Sequence, residues 1–286
     1  MAFSIARLWG QIKNWTLGDS VEKPIAEQIP YLTEWFKTPC GKLLLETEQA
    51  AINQSLPAFF GYHLMQMSIH QEADLGSASP IHHRIHLLGC RIDETEGKKS
   101  LLADFDALPL ESDSIDVIIL HHVLEFSLHP HQILKEVNRV LIPRGHVIIV
   151  GFNPFSLMGL WRGVASRMSR HAPWHYHALT KWRLQDWFKF LDLNKTQITD
   201  TFYRPPCSSP LLLNRFSFME SLGKALHLPF GGSYVMVARK DVNAVTPIRG
   251  PWEKISRRLP SLATARPVTP RSYISDHSLQ KKKDLH

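Results

Sequence analysis

The residues Asp116 to Leu120, DVIIL, constrain this chain more than any other stretch. They form a continuous apolar, partly β-branched run, the pattern of a strand buried on both faces within a parallel sheet. A helical pattern follows from His129 to Leu141. Pro130 sits at the helix start, and Ile133, Leu134, Val137, Val140 and Leu141 recur on one face. Pro143 and Gly145 end the helix, and His146 to Val150 reads as another buried strand. Strand, helix and strand in this order predict a right-handed crossover, a parallel sheet and so an α/β fold.

The pattern extends on both sides. Tyr62 to Met67, Arg84 to Leu88 and Ser100 to Ala103 read as three earlier strands, and Leu193 to Tyr203 and Tyr234 to Arg239 as two later ones. Helices are predicted near Phe155 to Ser166 and Thr180 to Leu191. Between the last two strands lies a Pro- and Leu-rich excursion, Arg204 to Gly232, long enough to cover an active-site mouth. Ahead of the strands, Thr38-Pro39 suits a helix start, because threonine can cap and proline fits the first helical position. Leu44, Leu45, Ala51, Ile52 and Leu56 then give a rough apolar face. Residues 1–37 are rich in Trp and show no clear period.

With 286 residues, the chain is long enough for one α/β domain with extensions. The expected division is an N-terminal helical extension over 1–60, the α/β domain over 61–240, and a basic, Pro-containing disordered tail over 241–286. The tail carries eight Lys or Arg against three Asp or Glu from Gly250 onward, so it holds most of the net charge of +7. A weak electrostatic contact with nucleic acid or an anionic membrane surface would fall there, as against a merely solubilising tail. No apolar run reaches the roughly 18 residues of a spanning helix. The first residues lack the unbroken apolar stretch and small-residue cleavage site of a signal peptide. Cys40, Cys90 and Cys207 are few and far apart, which fits a reducing compartment. The expectation is a cytoplasmic protein.

Three segments carry a resemblance: ADFDALPL from Ala103, HHVLEFSLHP from His121, and KEVNRVLIPRGHVIIV from Lys135. With Ser114, Asp116 and Val117 in register between them, this stretch resembles the type-11 family of class I S-adenosylmethionine-dependent methyltransferases. A narrower likeness links Thr38 to Glu46, Phe60 to His63 and Gly151 to Leu160 to a group of bacterial proteins described as methyltransferases. The resemblance implies a Rossmann-like sheet, mostly parallel, with its last strand reversed and inserted beside the fifth. It also implies S-adenosylmethionine as cofactor and a methyl acceptor that the sequence does not identify. By the same resemblance Asp104 would accept the adenine amino group, with the Phe105 amide at a ring nitrogen. A carboxylate suits an exocyclic amine physically, and the alternative is an aspartate capping the turn before Leu108-Pro109.

The chain departs from the family where the first strand ends. In place of an acidic residue and a Gly-x-Gly-x-Gly loop stand Met65, Gln66, Met67, Ser68, Ile69, His70, Gln71 and Glu72. Glycines there let backbone approach the cofactor closely and adopt positive φ. The acid of the second strand is also replaced, in the run His86-Leu87-Leu88-Gly89. Gln66 and Ser68 remain able to hydrogen-bond a ligand. His121 follows the fourth strand, where such folds place substrate-facing residues, and a neutral imidazole could take a proton from an N–H or O–H nucleophile. The alternative is a histidine bonded to backbone at the strand end. Glu125 is expected to start a helix or pair locally. Asn153-Pro154-Phe155 resembles the Asn-Pro-Pro-Tyr signature of amino-group methyltransferases, but it follows the fifth strand and lacks the second proline. His171, His175 and His177 have no accompanying Cys or carboxylate, so no metal site is expected. Two functions follow: methyl transfer from S-adenosylmethionine to an acceptor, or a binding or regulatory protein that keeps the fold without turnover.

Overall fold

A computed structural model describes residues 25–70, 72–89, 100–160, 179–206, 210–226 and 228–241. In chain order these form α1 (Ile25–Phe36), α2 (Pro39–Ser55), a 3₁₀ turn (Leu56–Ala58), β1 (His63–Ser68), β2 (His83–Leu88), β3 (Ser100–Leu102) and β4 (Ile115–His121). There follow α3 (Val123–Phe126), α4 (Pro130–Val140), β5 (Leu141–Phe152), α5 (Lys181–Phe190), β6 (Leu193–Thr201), α6 (Pro210–Arg215), α7 (Ser217–Ala225) and β7 (Ser233–Lys240). The strands make one seven-stranded sheet in the order β3-β2-β1-β4-β5-β7-β6. β1 to β5 pair in parallel, and β7 runs antiparallel between β5 and β6. The crossover from β4 through α4 to β5 is the predicted one, with Val117 opposite His146 and Leu120 opposite Ile149.

Side chains of the central strands alternate between two apolar layers, as the period of two requires. Ile118, Leu120, Val147 and Ile149 meet Ile133, Leu134, Val137 and Val140 of α4. Val117, Ile119, Ile148 and Val150 meet Ala51 and Ile52 of α2 and Leu56. The family-like segments hold this frame together. Glu136 and Arg139, one turn apart on α4, pair at 2.8 Å, and Arg139 also donates to the carbonyls of Leu108 and Leu110 at 3.0 and 2.8 Å. Those residues therefore clamp the Leu-Pro-Leu turn to the helix. Asp116 accepts from the amides of Tyr62 and His63 at 2.9 and 2.8 Å and so fixes the entry to β1.

Two features lie outside the sequence reading. The described residues between β1 and β2 form turns and no helix, and the side chain of Gln66 organises them. The unperiodic stretch before Thr38 contains α1, with Pro30 inside it. α1 and α2 meet at a tight corner. Thr38 Oγ1 accepts from the Gly41 amide at 3.2 Å and donates to the Trp35 carbonyl at 2.7 Å. A Cβ on Gly41 would lie 2.6 Å from Phe36 Cα, so only glycine lets the helices approach this closely. This corner carries Phe36 over the carboxyl ends of the strands.

Candidate functional site at the carboxyl ends of β1 and β4

Ligands of open parallel sheets bind beyond the carboxyl ends of the strands, beside the point where strand order reverses. Here that point lies between β1 and β4. The chain fills it with its own side chains. Ser68, Ile69 and His70 are buried, as are His121 and His122. The Phe36 ring stacks on His70 at a centroid distance of 5.2 Å and lies 5.6 and 6.1 Å from His121 and His122. Leu32, Leu44, Phe126 and Phe152 complete an apolar cluster around it. Gln28 of α1 donates to the Phe126 carbonyl at 3.3 Å, and Ile29 lies against the Gly89 position with Phe105. Backbone amides are engaged as well: Ile69 donates to the His121 carbonyl at 3.3 Å and His122 to the Val150 carbonyl at 3.0 Å. The sheet ladder thus runs on through the place where a glycine loop would turn its amides toward a cofactor.

Inside this plug lies a polar cluster. Ser68 Oγ is 2.8 Å from His121 Nδ1, and His121 Nε2 is 3.1 Å from Glu48 Oε2. The other carboxylate oxygen, Glu48 Oε1, is 3.1 Å from His122 Nε2, while His122 Nδ1 is 2.9 Å from Glu125 Oε2. Glu125 also accepts from the Phe152 amide through Oε1. His122 adopts φ 56° and ψ 14°, a left-handed conformation disfavoured for a residue with a side chain, and this turn directs its ring at Glu48. Burial opposes charge on all these groups. For His122 the attraction of Glu48 and the hydrogen bonds of both carboxylates outweigh it, raising the pKa to about 9. Against the same burial, the charge of His122 and hydrogen bonds from both imidazoles lower Glu48 to about 2. For His121 burial prevails and lowers the pKa to about 4. Without a bound ion, His122 is an imidazolium between two carboxylates and His121 is neutral.

The five residues anticipated to bind the cofactor, Gln66, Ser68, Asp104, Phe105 and His121, separate into three groups. Ser68 and His121 come together, joined to each other and, for His121, to Glu48; the partners of the His121 ring are side chains. Gln66 braces the β1–β2 connection instead. Its Nε2 donates to the Ala73 carbonyl at 2.7 Å, and its Oε1 accepts from the Leu75 amide at 2.9 Å. Asp104 and Phe105 follow β3, which β2 separates from β1. Asp104 is exposed and its carbonyl accepts from the Ala107 amide at 3.3 Å, while Phe105 is buried in the layer with α4. Asn153 starts a turn, its Oδ1 accepting from the Phe155 amide at 3.1 Å and its Nδ2 donating to the Pro229 carbonyl. His171, His175, His177 and the basic tail lie outside the described residues.

Glu48 and Phe36 were absent from the sequence reading. Glu48 had a legible signal: Leu44, Glu48, Ala51, Ile52 and Ser55 share the buried face of α2, so a carboxylate stands in an apolar stripe. Although no metal site was expected, Glu48, His121 and His122 bring three ligand atoms within 4.8 Å of one another. At the place the resemblance gives to adenine, Asp104 is exposed, and no side chain among the described residues pairs with its carboxylate. The described residues do not suit the other end of S-adenosylmethionine, because side chains and paired amides occupy the head of β1.

The sheet order and the reversed β7 are those of the class I methyltransferase fold. Residues 88–149, the stretch from β2 to β5, match the family described as "Methyltransferase domain". The chain is also similar to the uncharacterized protein YafS of Escherichia coli (strain K12), with 30% identity over 160 residues, 55% of this chain and 63% of that protein. The match thus spans less than two thirds of the relative's length. Among solved structures, a chain from the complex of the Haloferax volcanii Trm112 methyltransferase activator superposes with a TM-score of 0.54 at 14% identity, covering 76% of this chain and 98% of that one. An S-adenosylmethionine-dependent methyltransferase of Thermotoga maritima does so with a TM-score of 0.51 at 16% identity, covering 73% and 93%. Likeness at these identities concerns the fold. No helix among the described residues is long and apolar enough to cross a membrane.

Proposed function

We propose that this chain is a methyltransferase-fold binding or regulatory protein that does not hold S-adenosylmethionine at the head of β1. The observation that carries this reading is the plug: Phe36, Ser68, Ile69, His70 and His121 occupy that place, and the amides of Ile69 and His122 are spent in the sheet. Admitting the cofactor requires α1 to leave the sheet end and expose Leu32 and Phe36, both buried in the same apolar cluster.

A second reading, methyl transfer from S-adenosylmethionine to an acceptor, is favoured by one feature. Asp104 stands exposed beyond β3 within the family-matched stretch. Calorimetric titration of the full chain with S-adenosylmethionine and S-adenosylhomocysteine separates the two. The binding reading expects no saturable heat with either. Saturable binding that disappears in Asp104→Ala would overturn the first reading and support the second.

A further inference from the structure

We propose that Glu48, His121 and His122 form a binding site for a divalent first-row transition ion, with Glu125 and Ser68 orienting the two imidazoles from behind. These three fully buried side chains each bring a ligand atom within 4.8 Å of the others. Ser68 Oγ lies 2.9 Å from the His70 carbonyl and can donate its hydroxyl proton to it. With the proton so placed, the same oxygen accepts from His121 Nδ1 across the 2.8 Å contact, which is the tautomer a metal-binding Nε2 requires. Glu125 is acceptor-only when ionised, so His122 Nδ1 likewise carries a hydrogen. In the neutral imidazoles this leaves both Nε2 lone pairs facing the two oxygens of Glu48, at 3.1 Å each. In that arrangement four acceptor atoms converge and leave a gap on either side of Glu48. Without an ion, a His122 imidazolium and a Ser68 hydroxyl turned toward His121 Nδ1 would place hydrogens there instead. One metal ion fills both gaps at once.

Four further features agree. Donors bound to one tetrahedral ion at about 2.0–2.2 Å lie roughly 3.3 Å apart, close to the 3.1 Å from each imidazole nitrogen to Glu48. Glu48 and Glu125 put two negative charges at a fully buried place, and a divalent cation balances both with the imidazoles neutral. A ligating imidazole whose other nitrogen donates to a carboxylate or an oxygen is the usual second layer of a metal centre, and both histidines have it. The left-handed backbone of His122 supplies the aim of its ring. Two imidazoles and a carboxylate suit Zn²⁺ and its neighbours, not the oxygen-seeking Ca²⁺ or Mg²⁺. The ligands come from α2 and from the end of β4, more than 70 positions apart in the chain, so the ion would tie the N-terminal helices to the sheet.

The test uses the full chain, stripped with a chelator and titrated with Zn²⁺ against a competing chelator dye. We expect one tight equivalent, a rise in Tm, and no effect of Ca²⁺ or Mg²⁺. Co²⁺ in place of Zn²⁺ should give the intense visible bands of a low-coordinate centre with nitrogen ligands. His121→Gln should abolish the tight equivalent. Glu125→Gln, which keeps all three ligands, should weaken it about 10–100-fold. His63 and His83, whose Nδ1 atoms lie 2.7 Å apart on the partly exposed edge of β1 and β2, provide the control. Absence of a tight equivalent in the unmodified chain overturns the proposal. So does an equivalent that survives both His121→Gln and Glu125→Gln, or one that vanishes in His63→Ala.

Discussion

Replacing Phe36 by alanine tests whether α1 is an integral part of the core or a loosely held cover. The ring is 2% exposed and touches three histidine rings and the Leu32, Leu44 and Phe152 cluster. Truncating a buried phenylalanine costs about 3–5 kcal/mol, the sum of lost transfer energy and the cavity left behind. The site has little freedom to collapse, because the polar cluster beneath it is pinned by Glu48 and Ser68, so the upper part of that range is expected. For a body of this size each kcal/mol lowers Tm by roughly 2–4 °C, which gives about 6–20 °C in all. Trp35, whose ring meets that of Phe36 edge-on at 5.0 Å, offers a fluorescence signal for urea unfolding. An unchanged slope with a lower midpoint would mark a simple loss of stability. A loss below about 1 kcal/mol, far under the cost of a filled core position, would refute the plug. Saturable S-adenosylmethionine binding in Phe36→Ala but not in the unmodified chain would show that the ring alone bars the cofactor.

Three other outcomes are expected. Glu48→Gln keeps the volume but leaves His122 without one of its two buried counter-charges, and should cost about 3–5 kcal/mol in urea unfolding without added metal. Thr38→Ala removes the cap of α2 and should cost about 1 kcal/mol; a neutral result would mean that the corner is held by packing alone. His146, stacked on Phe59 at 4.3 Å, has its pKa lowered, first by burial and then by Arg239. Its contribution is present above the unfolded value near 6.5 and is lost as pH falls through the lower folded value. His146→Phe should flatten that part of the stability–pH curve, and an unchanged curve would assign the slope to other groups.

The fold was legible because its signals are local. DVIIL and the apolar face of α4 each specify an element without help from distant residues, and β4 and α4 follow them; α4 ends at Val140, and Pro143 and Gly145, expected to end it, lie inside β5. β7 could be placed beside β5 only through the family resemblance, since no pattern in Tyr234 to Arg239 encodes strand order. The site was half legible. Ser68 and His121 stand out at strand ends, yet their roles depend on Glu48, 73 residues before His121, and no spacing rule links a helix residue to a later strand. Gln66 has the chemistry to bind a ligand, but its amide group is taken by Ala73 and Leu75, neighbours within nine residues. Within the expected helical extension no period marks α1, because Pro30 and its mixed residues blur it.

The order of the two halves of the cluster along the chain has a consequence for biosynthesis. Glu48 leaves the ribosome 74 residues ahead of His122. At about 5–20 residues per second, that is a delay of roughly 4–15 s. Throughout it, α1 and α2 carry an apolar stripe and a carboxylate with nothing to cover either. The N-terminal helices cannot settle until β4 has been made, so the nascent chain must wait, shielded, for its middle. A ribosome stalled before residue 121 would hold a segment with Leu32, Phe36 and Leu44 bare, a natural client for a chaperone.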